Sequence, residues 1–104
     1  MPVDIIELIE VQRRSTGDVV DYVFRVSNGK SYRDVSVGIT GQAINPVGKP
    51  PRPKEVLTKV AKAWLGLQLQ RGFDPFNLPS ARVPDVPTAV VDHWIDHGEL
   101  PPWP

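Results

Sequence analysis

The sequence predicts an α+β fold: a three-stranded antiparallel β-meander packed on one long amphipathic helix, then a Pro-rich wrap and a short C-terminal helix. Three observations carry this reading. Three β-rich runs come first, at about residues 3–13, 18–27 and 30–40, divided by glycine-containing turns. A run with helical spacing follows at about 53–71, and a second at about 87–97, with three prolines in the segment between them. One domain of 104 residues accommodates all of it around a single core.

Asn28-Gly29 joins the second and third runs and is the dipeptide that a two-residue type I′ hairpin requires, since both central residues need positive φ. Gly17 serves the first turn. Strict alternation then places Val3, Ile5, Ile9 and Val11 on the core face with Val20, Tyr22, Phe24, Val26, Val35, Val37 and Ile39. The opposite face receives the acids Asp4, Glu10, Asp21 and Asp34, and with them Ile6, Leu8, Val19, Val23 and Tyr32. That second apolar set needs a cover.

The stretch "GQAINPVGKPPRPK" reads as an extended crossover into a helix, with Pro53 in the first helical turn, where its missing donor is not required. Val56, Leu57, Val60, Ala61, Ala63, Trp64 and Leu67 form one stripe at about 100° per residue, and Gly72 ends the helix. Leu65 and Leu69 fall off the stripe and call for a second partner. Phe73, Phe76 and Leu78 make the next segment a chain wrapped over the domain rather than a free linker. The last helix is expected to be capped by Asp85 or Thr88 and stopped by Gly98.

Composition excludes more than it assigns. Twelve basic and twelve acidic residues cancel, so no net charge draws the chain to nucleic acid or anionic lipid. Absence of cysteine removes disulfides, thiolate nucleophiles and Cys-containing zinc sites. No apolar run reaches the 18 or so residues of a membrane span, and "MPVDIIELIE" has acids where a signal peptide would have a basic start, so a cytoplasmic location is the expectation.

His93 and His97, one helical turn apart, are the weak candidates for a metal site. Zinc requires at least a third protein ligand, and the chain offers neither another imidazole nor a thiolate, so no metal and no cofactor is expected. No serine, histidine and acid fall into an arrangement that marks a nucleophile, and no catalytic residue is assigned. Six cations against Glu55 alone occupy 49–71, which leaves Lys49, Arg52, Lys54, Lys59 and Lys62 as the contacts of an alternative nucleic-acid-binding or regulatory reading. The acids of the sheet's second face weigh against it. The leading expectation is a non-catalytic protein–protein interaction module that forms a homodimer through Ile6, Leu8, Val19, Val23, Tyr32, Leu65 and Leu69. The competing account covers the same surfaces with the chain's own Phe73, Phe76, Leu78 and Trp103.

Overall fold

A computed structural model describes residues 3–15, 17–77 and 81–102. Leu78 and Trp103 lie outside the described residues. The order of elements is β1 (Asp4–Arg13), β2 (Val19–Ser27), β3 (Tyr32–Thr40), α1 (Gly41–Ile44), α2 (Lys54–Gln70) and α3 (Thr88–His97). The strands form an antiparallel meander in the order β1-β2-β3. On its core face Phe24, Val26, Val35, Val37 and Ile39 meet Leu57, Val60, Ala61 and Trp64 of α2 in one buried cluster. The expected α+β architecture is therefore present.

Several local expectations are corrected. The β2–β3 hairpin has a four-residue loop rather than a two-residue type I′ turn, because Ser27 pairs with Tyr32 and, among the described residues, no non-glycine residue has positive φ. Asn28 explains the difference: its side-chain oxygen accepts from the N–H groups of Lys30 and Ser31 at 2.9 and 2.8 Å. That local bond turns the chain without left-handed backbone at Asn28, leaving only Gly29 at φ 90°. The crossover is not wholly extended, since Thr40 accepts from the Ala43 N–H and starts the short α1. Neither Asp85 nor Thr88 caps α3; Pro87 occupies that position, while Asp85 bonds to Arg14. Gly98, at φ 72°, does end the helix.

The largest departure is in β1. Its register against β2 slips twice, between Ile5 and Glu7 and between Leu8 and Glu10. Each slip inserts one residue, and a one-residue insertion reverses the facing of everything beyond it. Directly opposed residues share a face, so Ile5 (opposite Val26), Leu8 (opposite Phe24) and Val11 (opposite Tyr22) lie on the core side. Leu8 therefore moves from the second face to the core side. Ile6 and Ile9 are the inserted residues, which removes Ile9 from the core row.

The Pro-rich wrap extends the sheet. The Ser36 N–H donates to the Ala81 carbonyl, the Val83 N–H to Ser36 and the Val86 N–H to Gly38, at 2.9, 3.2 and 2.8 Å. Residues 81–86 thus run parallel to β3 and occupy its outer edge. Val83 and Val86 plug into the core beside Val90 and Val91 of α3, and the Trp64 indole N–H donates to the Pro84 carbonyl at 2.8 Å. Leu65 is wholly buried in this cluster. The cluster that covers it is made by this chain alone.

Candidate interaction surface

Two open questions fix the site: what covers the sheet's second face, and where apolar surface remains. On the second face the wrap supplies charge. Asp21, buried on β2, accepts from Arg14 at 2.7 Å and from Arg82 at 2.8 Å, and Arg14 also pairs with Asp85 at 3.1 Å. Burial is the largest single influence on Asp21 and disfavours its charge, yet the hydrogen bonds from Arg14 and Arg82, with their positive charge, outweigh it and hold the carboxyl below its ordinary value. Arg14 in turn is driven further toward its charged form, chiefly by its hydrogen bonds to Asp21 and Asp85. The cluster rests directly on the backbone at Gly38, where a Cβ would overlap the Asp85 carboxylate and the Arg14 guanidinium. Beside it Val23 is buried, and Arg25 stands between Glu7 (3.8 Å) and Asp34 (3.5 Å) as a surface charge ladder.

Apolar surface remains on β1. Ile6 is 50% exposed, Leu8 37%, Ile9 36% and Val11 49%, and Tyr32 stands 69% exposed across the sheet. The cause is an overhang: α2 lies over β2 and β3 rather than over β1, so the core side of β1 faces a trough. Its two ends are identifiable. Ile5 lines one depression with Lys59, Lys62 and Trp94, and Val11 lines another with Lys54, Leu57 and Thr58.

The surface is thus narrower than the seven residues expected. Ile6, Leu8 and Tyr32 are exposed; Val19 and Leu69 are half-buried; Val23 and Leu65 are buried within the chain and offer nothing to a partner. Ile9 and Val11 belong to the surface and were assigned to the core by alternation. The signal for them is in the sequence: acids recur at 4, 7 and 10, every third residue, each followed by apolar residues. A strand with a three-residue period must bulge to keep one face apolar.

The remaining candidates separate. Lys49, Lys54, Lys59 and Lys62 are exposed, but Arg52 is largely buried and donates to Asp92 of α3 at 3.0 Å, which takes it out of any basic patch. The imidazoles of His93 and His97 lie with ring centroids 4.3 Å apart, and His93 Nδ1 is 3.0 Å from the Glu99 carbonyl oxygen. Among the described residues, no three His, Asp or Glu side chains gather as a metal-ligand set, and no helix is long and apolar enough to cross a membrane. Comparison of the chain with family models, curated proteins and solved structures returned no match.

Proposed function

We propose that the chain is a small non-catalytic protein–protein interaction module that self-associates as a homodimer through β1. One observation carries this: among the described residues, four of the six large apolar side chains left exposed, Ile6, Leu8, Ile9 and Val11, lie on that one strand. Scattered exposed apolar residues are ordinary, but their concentration on one strand supports a contact surface there. Covering the row stabilises an assembly by about 25 cal/mol for each Å² removed from water. A two-fold pair is the commonest way for one patch to cover itself.

Light scattering during gel filtration, with the loading concentration varied widely, tests the reading. A dimer mass that gives way to monomer on dilution is expected. Leu8→Lys with Val11→Lys should abolish the dimer while leaving thermal unfolding cooperative, since both side chains are exposed. A monomer at every concentration ends the proposal.

A further inference from the structure

Resting on that reading, we infer that the occupant of the trough is the β1 strand of a second copy, held by its acids against the lysines of α2. The alternative of strand-to-strand pairing at the free edge fits poorly. Two register slips within ten residues break the regular row of outward donors and acceptors that an added strand would need. A face remains.

Rotating a second copy by 180° about an axis parallel to β1 sets the two overhanging strands core side to core side. Each strand then lies in the trough of the other, with its free edge beside the partner copy's α2. Such a rotation preserves height along the strand, so the levels of charge can be read from one chain. Asp4 and Lys62 line the same depression, and Ile5 stands level with Lys59 and Lys62. The exposed acids Asp4 and Glu7 of one copy therefore arrive level with the exposed Lys62 and Lys59 of the other. Glu10 follows one step further along, toward the end where Lys54 stands with Val11.

Within one chain these charges are unspent. Among the described residues, Asp4, Glu10, Lys59 and Lys62 have no ion pair, and Glu7 reaches only Arg25, at 3.8 Å. A strand with an apolar core side and acids beyond it meets, in a second copy, an apolar trough walled by lysines. That is self-complementarity of both shape and charge.

Sedimentation equilibrium on the full chain decides it. Glu7→Lys with Glu10→Lys, and separately Lys59→Glu with Lys62→Glu, should each weaken the dimer by about tenfold or more, and the four changes together should return it to within about threefold of wild type. Net charge is controlled by joining the two Glu→Lys changes to Lys30→Glu and Lys49→Glu, exposed lysines outside the trough; this combination should stay weak. Recovery in that control, failure of the fourfold variant to recover, or unchanged affinity in either double variant overturns the inference. If Leu8→Lys with Val11→Lys still dissociates the dimer in those cases, self-association through β1 stands and only its arrangement falls. Monomer under all conditions removes both.

Discussion

Asp21 is the one charged residue buried among the described residues, and its neighbourhood explains why the chain tolerates it. Two guanidiniums satisfy the carboxylate, and a residue without a side chain at position 38 makes room for Arg14 and Asp85. Asp21→Asn keeps the volume and removes the charge, so it should cost about 2 kcal/mol, the scale of hydrogen bonds to charged groups, and lower the melting temperature accordingly. The pH dependence has a definite sign. Because the folded carboxyl titrates below its unfolded value, its contribution is complete above about pH 4 and is lost as pH falls through the folded value. Melting temperatures of wild type and Asp21→Asn should therefore converge toward about pH 2, and a gap that stays constant would contradict the assignment. Gly38→Ala should cost about 1–2 kcal/mol, because the added methyl group displaces side chains that can partly move aside.

At the scale of elements, the meander, α2 and α3 were legible because each rests on a local signal: a turn residue, a 3.6-residue stripe, or a glycine stop. Asn28-Gly29 announced a hairpin correctly but not its length, since an Asx bond and a left-handed pair compete for the same residues. Facing along β1 was misread because alternation assumes an unbroken pleat. The surface residues suffered most, with Ile9 and Val11 missed while Val23 and Leu65 were assigned to it. Leu65 shows why local spacing could not do better: it is buried in a cluster that includes Val83 and Val86 of a proline-rich segment whose path no periodicity describes. The contrast is measurable in chemical denaturation. Leu65→Ala should cost about 3 kcal/mol as a core truncation, whereas Leu8→Ala should cost the folded monomer less than about 1 kcal/mol.

Across the whole molecule, the sequence separates a basic middle from an acidic end, and the fold partly joins them through Arg52 and Asp92. It is a flattened body of 46 × 32 × 21 Å, with α2 off centre above the sheet, which leaves the two sheet edges in different states. One is sealed by residues 81–86, so the Ser36 amide should exchange slowly with solvent deuterium although β3 ends the meander. Hydrogen exchange followed by NMR checks this directly. The seal also has a history, because the residues that complete it come late in the chain: Arg14 and Asp85 are 71 positions apart. A nascent chain that has emerged as far as α2 already holds the whole meander and the helix that covers it, but not the strip that closes β3. Until translation adds that strip, the β3 edge of the sheet is open to pairing with other chains. The hazard of misassembly is therefore greatest once α2 has emerged and falls when residues 81–86 dock.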